Sequence, residues 1–488
     1  MAARTGSRRW WTLAILPAMA VSACGGSRLT HDAIVTAVNG GPLSTGAAAA
    51  QQQQQEPESA VSALPQNGVA QPLAGTAGAG GVSGGAGNAT SSVTGGAAAG
   101  AGAVSGAGTA HPGAATGSGR TTAAAAGPLP PILLGNIGTY SGPVGSTTSV
   151  IPTMLQVWVQ WVNAHGGIAG HPVQLFSADD GGDPAKQRAE VQDLVENKHV
   201  IAFISNFAPL NVGASISYLE AKHVPVIGGD MAGLEWTTSP MLFPVGTTFD
   251  PAIESTLKAA HKANATKVAA VACVEAAFCE HFLKHVSETA GRYGDQVVYS
   301  ARISIAQPDF TGQCLQAQQS GARAIAIAAD AGTSERLARS CARQNYHPLY
   351  MTLAQGTSNQ EADDPTLDGL LAPSPAFPYM VPGGNPEIDA YHAAIRQFSP
   401  GLAGSGGTAI AWVSGELFKK VASNIGPQPT SDAVLNGLWA LRNETLGGLT
   451  PPLTYVAHQP APPVSCYFMV QIRGGRWDAP SGANYECL

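Results

Sequence analysis

The stretch from Pro131 to Asp230 constrains the fold most, because it alternates short apolar runs with helical segments and glycine-rich turns. It opens with Ile132-Leu133-Leu134-Gly135-Asn136-Ile137, followed by the loop Gly138-Thr139-Tyr140-Ser141-Gly142-Pro143-Val144-Gly145. Met154, Leu155, Trp158, Val159 and Val162 then recur at helical spacing, which predicts a helix over about 150–164 with these side chains facing a sheet. Trp158 reads as core on that spacing, although an aromatic here could also be a binding platform. Gly166 and Gly167 stop the helix where positive φ is needed. The strand Pro172–Phe176 leads to Asp179-Asp180-Gly181-Gly182-Asp183-Pro184, and a further helix leads to the strand Val200–Ser205. Asp179 and Asp180 look like paired carboxylates for acid–base work. Their place between a strand and a helix start favours loop structure, with Asp183 as N-cap and Pro184 in the first turn. Strands alternating with helices in this way predict a parallel sheet covered by helices.

The order of these pieces resembles the Leu/Ile/Val-binding, type I family of periplasmic solute receptors. A strand, a Ser-Gly-Pro loop, a helix ending Asn163-Ala164-His165-Gly166-Gly167-Ile168 and the Asp-Asp-x-x-Asp-Pro run stand here in that family's order. The resemblance covers about 131–480 and is strongest over the first hundred of those residues. It implies a two-lobed α/β fold, each lobe a parallel sheet with helices on both faces, joined by three hinge segments. On that pattern one lobe comprises 131–247 and 376–450, and the other 248–375 and 451–488. Phe243-Pro244-Val245-Gly246 resembles the first inter-lobe crossing, and the third should follow Gly447-Gly448-Leu449-Thr450. Tyr467–Ile472, a turn at Gly474-Gly475 and Arg476-Trp477 resemble the family's closing hairpin.

The segment before this fold differs in composition. Arg4, Arg8 and Arg9 precede the apolar run from Trp10 to Val21, the pattern of an export signal too short to span a bilayer. Val21-Ser22-Ala23-Cys24 resembles a bacterial lipobox, which implies cleavage of residues 1–24 before Cys24 and lipidation of its thiol. An ordinary secretory signal with an incidental cysteine is the other reading, and Arg8-Arg9 faintly resembles a twin-arginine signal. Residues 25–127 are rich in Ala, Gly, Ser, Thr and Gln, including Gln51 to Gln55, with no sustained periodicity. Such a stretch cannot bury enough apolar surface to offset its ordering entropy, so it reads as a disordered tether or a neutral low-complexity insert. A flexible coil of this length would span about 50–60 Å.

The formal net charge of −7 gives no support to a nucleic-acid surface. If Cys24 carries lipid, six of the seven cysteines remain, an even set that reads as disulfides in an oxidising compartment. Six cysteines allow fifteen pairings. Cys273–Cys279 would close a short loop, Cys314–Cys341 would tie two helices flanking a strand, and Cys466–Cys487 would pin the C-terminal segment. No Cys-x-x-Cys or Cys/His cluster supports the rival reading of a metal site.

Ligands of open α/β sheets sit beyond the carboxyl ends of the strands. The ligand-binding candidates are therefore Tyr140 and Ser141 after the first strand, Asn206 and Phe207 after the third, and Asp230 and Met231 after a fourth strand, Pro225-Val226-Ile227. In the second half, strands at Lys267–Cys273, Val297–Ile303, 322–329 and 349–353 place Glu275, Asp330 and Gln355 at the corresponding loops. Each of these residues could instead be loop structure. Pro308-Asp309-Phe310-Thr311 matches the family's Asp-Phe before a helix and reads as a cap.

The chain departs from amino-acid-binding members in a way that matters. The hydroxyls that hold a ligand carboxylate in those members fall on Ala208 and Pro209, and near Ala232. Losing such donors makes a free branched-chain amino acid a poor fit and favours a solute with apolar or amide character. The family's tyrosines are not evident in the second-half loops. Gly138-Thr139-Tyr140-Ser141-Gly142 has its serine one place late for a nucleophile elbow, and no Walker lysine, His-Glu-x-x-His or dinucleotide fingerprint occurs. The expectation is a lipid-anchored, monomeric, extracytoplasmic receptor with no cofactor and no catalysis. It would capture a small organic solute and deliver it to an ABC permease; the alternative is a clam-shell sensor acting through a signalling or envelope partner.

Overall fold

The computed structural model describes residues 129–488, which fall in the compact unit Ala114–Leu488. The export signal, Cys24 and the tether lie outside the described residues. In chain order the first sheet and its helices are β1 (Ile132–Gly138), α1 (Ile151–Ala164), β2 (Val173–Asp179), α2 (Pro184–Glu196), β3 (Ala202–Asn206), α3 (Ile216–Lys222), β4 (Val226–Gly229) and β5 (Leu242–Phe243). Then come α4 (Phe249–Lys262), β6 (Lys267–Cys273), α5 (Ala277–Thr289), β7 (Gln296–Ile303), α6 (Thr311–Gln319), β8 (Ala324–Ala328), α7 (Ala331–Ala342), β9 (Leu349–Met351) and β10 (Leu371–Ser374). The chain ends with α8 (Pro386–Phe398), α9 (Gly406–Val421), α10 (Ser431–Ala440), β11 (Cys466–Ile472), β12 (Trp477–Asp478) and β13 (Glu486–Cys487).

The first sheet has the order β2-β1-β3-β4-β5 and is parallel throughout. The second runs β12-β11-β10-β9-β8-β6-β7; β7, β6, β8, β9 and β10 are parallel, and β11 and β12 add the expected antiparallel hairpin at one edge. Strands β3, β4 and β8 are buried along their whole length, as expected where helices cover both faces.

Local sequence explains the elements around the first sheet. Met154, Leu155, Trp158, Val159 and Val162 of α1 are all buried. Trp158 is core: its indole N–H donates to Glu416 Oε1 of α9 at 3.0 Å. Gly167 (φ +75°) is required after α1, because a Cβ there would lie 2.0 Å from the carbonyl oxygen of His171. Asp183 caps α2 by accepting the amides of Ala185 and Lys186, with Pro184 in the first turn. Asp179 and Asp180 are loop braces. Asp179 Oδ1 accepts the amides of Tyr140, Ser141 and Gly181, while Asp180 Oδ1 accepts the Thr139 hydroxyl and the Gly182 amide. Asp309 stands one place before the N-cap of α6, which is Phe310, and its carboxylate still accepts the Thr311 amide at 2.9 Å.

The chain passes between the two sheets three times, after β5, after β10 and after Leu449. The passages lie side by side. The Thr450 hydroxyl donates to the Val245 carbonyl at 2.7 Å, the Phe377 amide to Leu449 at 2.9 Å, the Tyr455 hydroxyl to Pro244 at 2.7 Å, and the Thr248 amide to Val464 at 3.2 Å. Helices α8 and α9 thereby return to pack on α1, next to β3 and β4. The three disulfides are Cys273–Cys279, Cys314–Cys341 and Cys466–Cys487, the three candidate pairings among the fifteen that six cysteines allow.

Candidate ligand cleft

The carboxyl ends of the two sheets face a common cavity of about 80 Å³. That is several times the ~10–15 Å³ that admits one water, and below the ~300–1,000 Å³ of pockets for drug-sized ligands. Phe207, Leu210 and Pro209 supply the apolar wall on one side, and Phe278, Ile305 and Leu353 on the other. The polar groups on this wall are threonines, Gln355 and the carboxylates Asp230 and Asp330; among the described residues no lysine, arginine or histidine lines it.

Asp230 is the main electrostatic feature. It leaves β4 into the cavity floor and is buried. Its Oδ2 accepts the Ala208 amide at 2.9 Å, and its Oδ1 accepts the Ala232 amide at 3.0 Å and the Trp236 indole N–H at 3.3 Å. Burial pushes its pKa up to about 6, although these three donors pull the other way. A carboxylate of the protein itself thus engages these three donors at the cavity floor. Pro209 and Ala232 lie on the wall and bring no hydroxyl.

Asp330 caps α7: its Oδ1 accepts the Thr333 hydroxyl at 2.5 Å and its Oδ2 the Thr333 amide at 3.3 Å. The hydroxyls of Thr148 and Thr352 donate to the carbonyls of Val144 and Ile327. Two buried polar atoms of the wall, Thr147 Oγ1 and Gln355 Oε1, have no partner among the described residues. A buried polar atom left unpaired costs about 1–3 kcal/mol, so a ligand or water that pairs with it gains correspondingly.

Of the nine ligand candidates read from the sequence, the fold brings Phe207, Asp230, Asp330 and Gln355 together on this wall. The others lie elsewhere. The Tyr140 hydroxyl donates to Asn136 Oδ1 at 2.7 Å, and burial holds the phenol above its ordinary range. Ser141 is exposed, with its amide turned to Asp179. Asn206 is buried and accepts the Ile137 amide at 3.2 Å. Met231 is buried in the core at φ +50°. Glu275 is exposed; its Oε1 accepts the Ser304 hydroxyl at 2.7 Å and the Ile305 amide at 3.0 Å, which fixes the loop that carries Ile305 to the wall. Thr147, Leu210, Phe278 and Ile305 are wall residues that the strand-end rule does not reach.

Residues 131–476 match a family model described as periplasmic binding protein. The chain belongs to this family. Like other type I, Leu/Ile/Val-binding-like periplasmic binding proteins, it shares its fold with several solved receptors. A possible leucine/isoleucine/valine-binding protein from Rhodopirellula baltica is 14% identical, with a TM-score of 0.64 over 72% of this chain and 97% of that one. A fatty acid ABC transporter substrate-binding protein from Thermomonospora curvata is 17% identical, with a TM-score of 0.62 over 72% and 92%. An ABC transporter solute-binding protein from R. palustris, solved with benzoate, is 17% identical, with a TM-score of 0.59 over 73% and 98%. At these identities the likeness shows the fold. No curated protein matches the sequence. The family and these neighbours are binding proteins rather than enzymes. No helix among the described residues is long and apolar enough to cross a membrane.

Proposed function

We propose that this periplasmic binding protein captures a small, mostly apolar solute without a free carboxylate and delivers it to an ABC permease. One observation carries the ligand class: Asp230 accepts both nearby backbone amides, Ala208 and Ala232, in a cavity that no cationic side chain of the described residues lines. A ligand carboxylate entering there would meet an existing negative charge and find its donors engaged. A neutral amide or alcohol, or an ammonium group, meets Thr147, Gln355 and two carboxylates instead. One structural neighbour was solved with benzoate and another is a fatty acid transporter's binding protein; both ligands carry the group this cavity disfavours. The transport role rests on the family and on ABC-transporter neighbours.

In this reading residues 131–247 with 376–450 and residues 248–375 with 451–488 are two lobes. Ligand contacts from both sides of the cavity favour closure about the three passages. Phe207, Asp230, Asp330 and Gln355 are the contacts from the expected set, joined by Thr147 and Phe278. The chain acts as a monomer held to the membrane through lipidated Cys24. A thermal-shift screen of the full chain against amino acids, amides, amines, aromatic acids and polyols tests the receptor claim. A ligand at 100 times its dissociation constant stabilises the fold by about 2.7 kcal/mol. Hits confined to compounds without a carboxylate are expected; leucine-type hits would overturn the ligand class, and a folded protein with no hits would overturn the receptor reading in favour of a partner-bound sensor.

A further inference from the structure

Away from the cleft, helices α4 and α5 pack against each other and present four metal-competent side chains on facing surfaces. Asp250 and Glu254 are four residues apart on α4, and His281 and His285 are four apart on α5, so each pair shares one helix face. His281 Nε2 lies 2.6 Å from Asp250 Oδ1, and His285 Nδ1 lies 3.8 Å from the same oxygen. One ligand atom from each of Asp250, His281 and His285 falls within 4.8 Å of the other two.

We propose that Asp250, His281 and His285 form a surface site for a divalent transition ion, Zn(II) in particular, with Glu254 holding His285 from behind. A tetrahedral zinc with bonds of ~2.0–2.2 Å sets its ligand atoms roughly 3.3–3.5 Å apart. The two separations from Asp250 Oδ1 bracket that spacing, so small side-chain rotations bring the three atoms to it. Two imidazoles and a carboxylate suit zinc, copper and nickel better than calcium or magnesium, which favour all-oxygen sites.

The outer groups fit the same purpose. His285 uses Nδ1 toward Asp250 and its Nε2 lies 3.0 Å from Glu254 Oε1, the carboxylate–histidine arrangement that fixes the tautomer of a metal-bound imidazole. Glu254 is in turn held by the Tyr293 hydroxyl at 2.5 Å. The Asp250 side chain is 39% exposed, so a fourth position can be filled by water from solvent. The ion would join the first turn of α4, just past the first passage between the sheets, to α5. Phe249 connects this corner to the cleft: its ring lies 5.9 Å from that of His281 and 5.7 Å edge-on from that of Phe278, a wall residue.

Without a metal His281 and Asp250 hydrogen-bond directly to each other, and the experiment separates the two cases. The full chain is stripped with chelator and titrated calorimetrically with Zn(II). The visible spectrum with Co(II) reports coordination by nitrogen and oxygen. The wild type should bind one equivalent that His281→Ala and His285→Ala each lose, whereas His165→Ala, at an exposed histidine elsewhere, keeps it. Glu254→Gln should weaken binding about 10–100-fold without abolishing it. Zinc should also raise the thermal midpoint of the wild type and not that of His285→Gln, a milder change that guards against misfolding of the alanine variants. No zinc binding by the wild type, or binding unchanged in both histidine variants, would overturn the site.

Discussion

Replacing Glu361 by glutamine should stabilise the protein in mildly alkaline solution. Glu361 is fully buried in the segment Asn359–Asp363. Its Oε2 accepts the Ser358 amide at 2.8 Å, and its Oε1 has no partner. Burial raises its pKa from 4.5 to about 8, and the charges of Glu335 and Asp330 add to the shift against the opposing Ser358 hydrogen bond. The sign follows from linkage. Between pH 4.5 and about 8 the unfolded chain has released this proton and the folded chain still binds it, so stability falls as pH rises through that window. At about 1.4 kcal/mol per pH unit, the gap from 4.5 to about 8 sets an upper limit of about 5 kcal/mol. Glutamine keeps the acceptor for Ser358 and does not ionise. Glu361→Gln should therefore match the wild type near pH 4.5 and exceed it by about 2–4 kcal/mol at pH 8, a fraction of that limit because buried sites relax. Calorimetric unfolding of both proteins across this range reads the difference. Parallel stability curves, or a less stable variant at pH 8, would refute the reasoning.

Further expectations concern the cleft and its frame. Asp230→Ala frees the amides of Ala208 and Ala232 and the Trp236 indole N–H; acetate should then raise the thermal midpoint of the variant but not of the wild type, and equal responses would count against the role of Asp230. Removing the disulfide with Cys314→Ala and Cys341→Ala, which lie 27 residues apart, should lower stability by about 3–4 kcal/mol on the chain-entropy account, read by denaturant unfolding. Gly246→Ala puts a Cβ 1.9 Å from the Pro375 carbonyl oxygen where two passages touch. It should cost about 1–3 kcal/mol through overpacking, and an unchanged unfolding midpoint would show that the passages are not tightly apposed.

Much of the fold was legible because it rests on local rules. The helix stripe of α1, the Gly166-Gly167 stop and the Asp183-Pro184 cap each act within a few residues. The strand-end rule then found the loops of the cleft and four wall residues, since a parallel sheet puts all its ligand-facing loops at one end. It could not tell which side chains of a loop turn inward. Tyr140 swings back to Asn136, and Glu275 turns to the backbone of its neighbouring loop, where each finds a hydrogen-bond partner. Thr147 reaches the wall from the short helical turn Gly145–Thr148. Phe278 gets there from the start of α5, beside the Cys273–Cys279 bridge. Both positions depend on tertiary packing that no short window encodes. Helix α4 carries an apolar stripe, Phe249, Ile253 and Leu257, with Pro251 in its first turn, but it begins directly after a passage between sheets, and no helix was expected there from the sequence. The Asp250–His285 pairing across helices has no counterpart in linear spacing.

The most direct test of the account is calorimetric titration of the full chain with isobutylamine, isobutyramide and isobutyrate, which share a small apolar body and differ in the polar end. Ala329→Trp, which fills the cavity from its wall, serves as the control. Binding of the amine or the amide that the control abolishes, with no heat from isobutyrate, is the predicted result. Binding of isobutyrate in preference to the other two would contradict the reading of Asp230 and the ligand class built on it, and binding that survives in Ala329→Trp would place the ligand somewhere other than this cleft.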